Sequence, residues 1–114
     1  MTAADYNITC EQGSTFSKTL TIKDASGVAR NLSTYTARMQ VRPDVDSSTK
    51  LLDLTSSGGD ITLNSSGVVT ISVSATNTAA LTQGGVYDLE IVAGDGTVER
   101  VIQGNFVLSK EVTR

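Results

Sequence analysis

The sequence predicts an all-β protein: two antiparallel sheets packed face to face, built from about seven to nine short strands, with one short helical turn near 75–81. Three observations carry this. Apolar residues recur with a period of two along most of the chain, which is the spacing of a half-buried strand. Turn clusters such as Asp24-Ala25-Ser26-Gly27, Asn64-Ser65-Ser66-Gly67 and Asp95-Gly96 break that alternation every 8–12 residues or so. The composition is rich in Ser, Thr, Asn and Gly and only 18% charged, which suits strands and tight turns over helices. At 114 residues the chain is read as one domain, 1–114.

Each element follows from its own pattern. Tyr6, Ile8 and Cys10 are expected on one face of a first strand within an N-terminal arm, 1–10. Glu11-Gln12-Gly13 reads as a bend or bulge, because Gly13 accepts backbone angles other residues avoid. Phe16, Leu20 and Ile22 share a face of a second strand, interrupted by Lys18. Asp24 opens a turn that Gly27 closes, and Val28 to Leu32 leads back toward the sheet. Tyr35, Ala37, Met39 and Val41 then alternate with Thr36, Arg38, Gln40 and Arg42, so the outer face of this strand carries two arginines. Pro43 ends it, since proline cannot donate to a ladder.

A polar loop over 43–50 leads to the apolar group Leu51, Leu52 and Leu54. Residues 61–73 read as a hairpin, with Ile61 and Leu63 before the Asn64–Gly67 turn and Val69, Ile71 and Val73 after it. Next comes SATNTAALTQ, too small and polar for a buried strand. Ser74 or Thr76 can cap a helical turn there, crossing from one sheet to the other. Gly84 and Gly85 release the chain, and Tyr87, Leu89 and Ile91 resume alternation. Asp95-Gly96 predicts a hairpin into a last strand with Val98, Arg100, Ile102, Gly104, Phe106 and Leu108 on one face and Val101 and Val107 on the other. Residues 109–114 form a polar tail.

Leu81 to Leu89, LTQGGVYDL, has the shape of a tyrosine corner. In immunoglobulin-type sandwiches a Tyr near the start of strand F bonds through its hydroxyl to backbone a few residues upstream. Tyr87 fills that position, and Leu89 stands where antibody domains place their second cysteine. The expected fold is therefore immunoglobulin-like, with Tyr87, Leu89, Gly84 and Gly85 as structural residues. No cation neighbours Tyr87 in sequence to make it reactive.

Several kinds of chemistry are disfavoured. The chain has no His and no Trp, which removes imidazole bases, Ser-His triads and imidazole metal sites. Asp44 with Asp46, and Asp88 with Glu90, are carboxylate pairs at i, i+2, but aromatics are 4% of the chain, too sparse to floor a sugar cleft. The Asp44–Ser48 and Gly94–Gly96 stretches lack a downstream bidentate Glu for calcium. Cys10 is the single cysteine, so an intrachain disulfide and a thiolate cluster are excluded, and it reads as a small core residue. No catalytic, cofactor-binding or metal residue is assigned. The net charge of −3 argues against nucleic-acid and anionic membrane partners. No apolar run is long enough to span a bilayer as a helix, and MTAADYNITCEQG does not read as a secretory signal, so synthesis in a cytoplasm is expected. Arg38 and Arg42, with Arg100, suggest a polar stripe that meets either a neighbouring subunit or Glu90 and Glu99 of the same chain.

The segments YNITCEQGSTFSKTLTIKDASG (6–27), NLSTYTARMQVR (31–42), VTISVSATNTAAL (69–81), GVYDLEI (85–91) and GNFVLSKEVTR (104–114) together resemble small tailed-phage virion proteins. Their order is similar to the immunoglobulin-like N-terminal domains of phage upper baseplate proteins. The resemblance covers nearly the whole chain and rests on order and spacing. It implies a β-sandwich that assembles into a virion at the tail, baseplate or fibre attachment, without catalysis or cofactor. The implied partners are other virion proteins and further copies of the chain. This sequence carries no appended fibre or carbohydrate-binding module, which favours an adaptor or decoration piece over receptor recognition.

A head decoration (cement) protein is the second expectation, and a host carbohydrate-binding module a third. The candidate interface residues are Arg38, Arg42, Tyr6 and Ile8, the last two in an arm that can extend the sheet edge of a neighbour.

Overall fold

The computed structural model describes residues 3–113; Met1, Thr2 and Arg114, at the ends of the expected arm and tail, lie outside the described residues. The strands are β1 (Ala4–Asp5), β2 (Ile8–Glu11), β3 (Phe16–Thr21), β4 (Thr36–Arg42), β5 (Leu52–Thr55), β6 (Ile61–Leu63), β7 (Val68–Val73), β8 (Gly85–Val92) and β9 (Val98–Ser109). One helical turn, α1 (Ala75–Ala79), joins β7 to β8.

The strands form two sheets. The larger runs β1-β9-β8-β4-β5, with β2 also on β9; the smaller runs β3-β7-β6. Read as an immunoglobulin-type sandwich, β3, β6 and β7 are strands B, D and E, and β4, β5, β8 and β9 are C, C′, F and G. The chain is an immunoglobulin-like β-sandwich. Its core is the set of inward residues of both layers, among them Met39, Val41, Val69, Ile71, Leu89, Ile91 and Phe106. These come from positions that alternate in sequence, because a period of two puts every second side chain on one face.

The helical turn lies where it was expected. Ser74 is its N-cap and accepts the Asn77 N–H at 3.2 Å. Thr78, on this turn, is completely buried. Its hydroxyl donates to the Ser14 carbonyl at 2.8 Å and accepts the Gly13 N–H at 3.1 Å. The crossing between sheets is thus tied to the bend that follows β2. That bend is a turn in which Gly13 has a φ of 82°, a left-handed value that favours glycine.

Three sequence expectations are corrected. First, the N-terminal arm does not reach outward. Both β1 and β2 pair parallel with β9, in one continuous register from Ala4↔Ile102 to Glu11↔Ser109. In the constant-type arrangement the first strand lies beside B, E and D; here it lies on the other sheet. Secondly, Ile8 and Cys10 are core residues, but Tyr6 sits between β1 and β2 and is 41% exposed. The ladder is interrupted at Tyr6 and Asn7, where the Asn7 side-chain oxygen accepts the Asn105 N–H at 3.0 Å in place of a main-chain acceptor.

Thirdly, β9 does not alternate strictly. Leu89 faces Ile102 while Glu90 faces Arg100, so Val101 is an extra residue in a bulge. The bulge makes Val101 and Ile102 both inward, and it turns Glu99 inward and Val98 and Arg100 outward. The segment from Val28 to Leu32 returns toward the sheet as expected, held by a lone bridge between Lys23 and Ala29 and by the buried Leu32.

Candidate functional site

The outer face of β4, β8 and β9 is where charge is concentrated. Outward positions alternate with core positions on each strand, so cross-strand neighbours on this face are fixed by register. Arg38 stands opposite Glu90, and its Nε donates to Glu90 Oε1 at 2.7 Å. Arg100 stands opposite Glu90 on the other side and reaches Asp88 Oδ2 at 3.4 Å. It also donates to Gln103 Oε1 at 3.1 Å, and Gln103 Nε2 donates to Asp5 Oδ1 at 3.2 Å. At the other edge, Arg42 donates to the Ser47 carbonyl and to Gln40 Oε1, each at 2.8 Å.

The result is a ladder of alternating donors and acceptors across the sheet. Its carboxylates Asp88 and Glu90 each have a guanidinium against them. The pairs are exposed, so each is worth at most about 1 kcal/mol in stability. Their effect is local: the Arg38 and Arg100 guanidinium groups are each held against a carboxylate of the neighbouring strand. Among the described residues no three His, Cys, Asp or Glu side chains converge as a metal site.

The face is carried by the Tyr87 region beneath it. Tyr87 is 5% exposed and points into the core, and its hydroxyl donates to the main-chain carbonyl of Tyr6. Gly104 lies directly opposite Tyr87 on β9. A Cβ on Gly104 would collide with the Tyr6 carbonyl, so glycine is what lets that carbonyl come close. The corner expected within a few residues upstream is instead a long-range tie to the arm. The reason is topological: β1 and β2 run alongside β9, which places Tyr6 beside the hydroxyl. Burial, with a smaller effect from Tyr6, pushes the Tyr87 pKa up to about 12 from an ordinary 10.0. The phenol therefore stays protonated and donating at neutral pH.

The other expected structural residues fall beside it. Leu89 is completely buried in the core. Gly84 and Gly85 are required by close approach, not by a left-handed φ. A side chain at Gly84 would meet the Phe106 carbonyl, and one at Gly85 the Arg42 carbonyl, both well inside contact distance. Of the candidate interface residues, Arg38 and Arg42 are on the outer face. Ile8 is 3% exposed and offers no free surface. Tyr6 is exposed, and the Lys18 ammonium sits 4.5 Å from the centre of its ring.

Sequence reading missed a further charged pair, Arg30 with Glu99, at 2.9 Å. Arg30 also donates to the Tyr35 hydroxyl at 3.0 Å. The Arg30 hydrogen bonds, opposed in part by burial, hold the Glu99 carboxyl below the usual range. Glu99 was read as an outward residue, and only the bulge at Val101 turns it toward Arg30. The Cys10 thiol is pushed up, by burial first and Glu11 second, and is an inert core group.

No known family matches the chain, and no curated protein matches it. Among solved structures, it is similar to the extracellular domains of the voltage-gated sodium channel β4 subunit, whose parallel homodimer structures are described as explaining a role in cell–cell adhesion. The TM-score is 0.47 at 13% identity, over 98% of this chain and 97% of that one.

Proposed function

We propose that this chain is a non-enzymatic structural protein of a tailed-phage virion, acting through protein–protein contacts in tail, baseplate or fibre-attachment assembly. The virion assignment rests on the ordered resemblance of residues 6–27, 31–42, 69–81, 85–91 and 104–114 to phage baseplate domains. The observation that favours a contact-making role is the outer face of β4, β8 and β9. Its carboxylates Asp88 and Glu90 are each paired with a guanidinium within the face, while Arg42 is held only by neutral acceptors, which leaves one cation for a carboxylate of a partner to meet. Aromatic side chains are largely committed elsewhere: Phe16 packs edge-on to Phe106, Tyr35 binds Arg30, and Tyr87 binds Tyr6. That arrangement leaves little with which to stack a sugar.

The test is quantitative proteomics of purified virions, with gold labelling by an antibody to this chain. Label at the tail, at a few to a few tens of copies per particle, is the expected result. Label over the head at hundreds of copies would make it a decoration protein. Absence from particles would refute the virion role.

A further inference from the structure

Strand β3 is the edge of the smaller sheet, and among the described residues nothing pairs with its outer side. Which groups face that side follows from the ladder. The Ile22 N–H donates to the Gly67 carbonyl at 2.8 Å, continuing the register in which Thr21 faces Val68. Main-chain groups of Phe16, Lys18 and Leu20 share that parity and face β7. On the other side of β7, Ser72 donates to Asp60 and Asn64 donates to Val68, which fixes the same alternation independently. The N–H and C=O groups of Ser17, Thr19 and Thr21 therefore point out of the sheet edge.

This edge differs from those of β5 and β6, and from the β1–β2 edge, which is broken at Tyr6 and Asn7 into pieces of two and four residues. Strand β5 is shorter, presents Asp53 paired with Lys50 just before the strand, and has its Thr55 carbonyl taken by the Asp60 N–H at 3.1 Å. Strand β6 is only three residues long. Strand β3 has six residues, no proline and an unbroken register. Its exposed row is Ser17, Thr19 and Thr21, all neutral. Its one charge, Lys18, belongs to the inward row, and the ammonium is drawn across the gap between the sheets onto the Tyr6 ring.

We infer that the β3 edge is a homodimer interface, in which β3 of a second copy pairs antiparallel about a two-fold axis through Thr19. In that register Ser17 faces Thr21 of the second copy, and Thr19 faces Thr19. These are the residues whose main-chain groups are free, so about six hydrogen bonds form. The side chains above them are Ser and Thr pairs, which interact favourably across antiparallel strands. Lys18 faces Leu20 of the second copy, so no like charges are opposed. The two small sheets become one continuous sheet, and the isologous contact closes at two copies. This holds whether or not the protein belongs to a virion.

Two variants test it. Thr19→Pro removes an N–H that the β3–β7 ladder does not use, and proline is tolerated on an edge strand at such a position. Sedimentation analysis over a wide concentration range should show a reversible wild-type dimer, with a dissociation constant raised roughly tenfold or more in Thr19→Pro. Thr19→Cys should give a disulfide-linked dimer under mild oxidation, because hydrogen-bonded antiparallel partners lie about 5.5 Å apart between Cα atoms, within disulfide range. Cys10 is buried and does not compete. If Thr19→Pro fails to fold, the Cys variant decides. A protein that stays monomeric throughout would overturn the inference, as would a dimer that neither links through position 19 nor responds to the proline.

Discussion

The hydroxyl of Tyr87 and the main-chain carbonyl of Tyr6, eighty-one residues apart in sequence, are joined by one hydrogen bond. It fastens the N-terminal strands to the middle of the larger sheet, on the opposite side of β9 from where Tyr87 begins. Replacing Tyr87 with Phe keeps the ring and removes the donor. The expected loss is about 0.5–1.5 kcal/mol, read as a lower urea midpoint at unchanged slope. Amide exchange should quicken in β1 and β2 more than in β4, since only the arm loses a tether.

The same hydroxyl sets a stability limit at alkaline pH. In the unfolded chain it releases its proton near pH 10; in the folded chain it does so near 12. Between those values the unfolded state binds fewer protons, so stability falls as pH rises through the window. The contribution is full below pH 10 and amounts to at most about 2–3 kcal/mol. Denaturant titrations from about pH 9 to about pH 12 should show this component in the wild type and lack it in Tyr87→Phe.

Glu99 behaves in the opposite sense. Arg30 holds its folded-state pKa below the ordinary carboxyl value, so the pair stabilises the protein above that value and the contribution disappears as pH falls through the folded pKa. Glu99→Gln should lower stability at pH 7 by about 1–2 kcal/mol and flatten the acid limb of a stability–pH curve. Arg30→Met, which removes the other partner, should cost more at neutral pH than at low pH.

The glycines separate into two kinds, and alanine scanning should resolve them. Gly27 has a φ of 85° with open space around its Cβ position, so Gly27→Ala should cost only about 1–2 kcal/mol of backbone strain. Gly85 has ordinary angles, but a Cβ there would strike the Arg42 carbonyl. Gly85→Ala must push β8 and β4 apart and should cost about 3 kcal/mol or more. Equal melting temperatures for the two variants would contradict this division.

Much of the fold was legible because alternation and turn chemistry are local signals. Met39, Val41, Val69, Ile71, Leu89 and Ile91 were all placed in the core by period two, and the neighbours narrowed the helix cap to Ser74 or Thr76, of which Ser74 is the one used. What stayed hidden depends on contacts between distant segments. Nothing in Ala4–Glu11 says that it pairs parallel with Ile102–Ser109, since a strand's partner is not encoded in its own alternation. The bulge at Val101 inserts one residue into a regular pattern, and VERVIQG carries no glycine or proline at the insertion to announce it. The inward turn of Glu99, and hence its pairing with Arg30, was lost with it. The free side of β3 could not be read at all, because it follows from where the arm goes.

That parallel seam also decides how the molecule would respond to being pulled. Residues Ala4–Glu11 and Ile102–Ser109 run side by side in the same direction. Tension applied between Ala4 and Ser109 would therefore slide one strand along the other, straining the whole row of bonds together in shear instead of peeling them open singly. A segment loaded in this way should withstand a tug from its attachments better than its modest length would suggest.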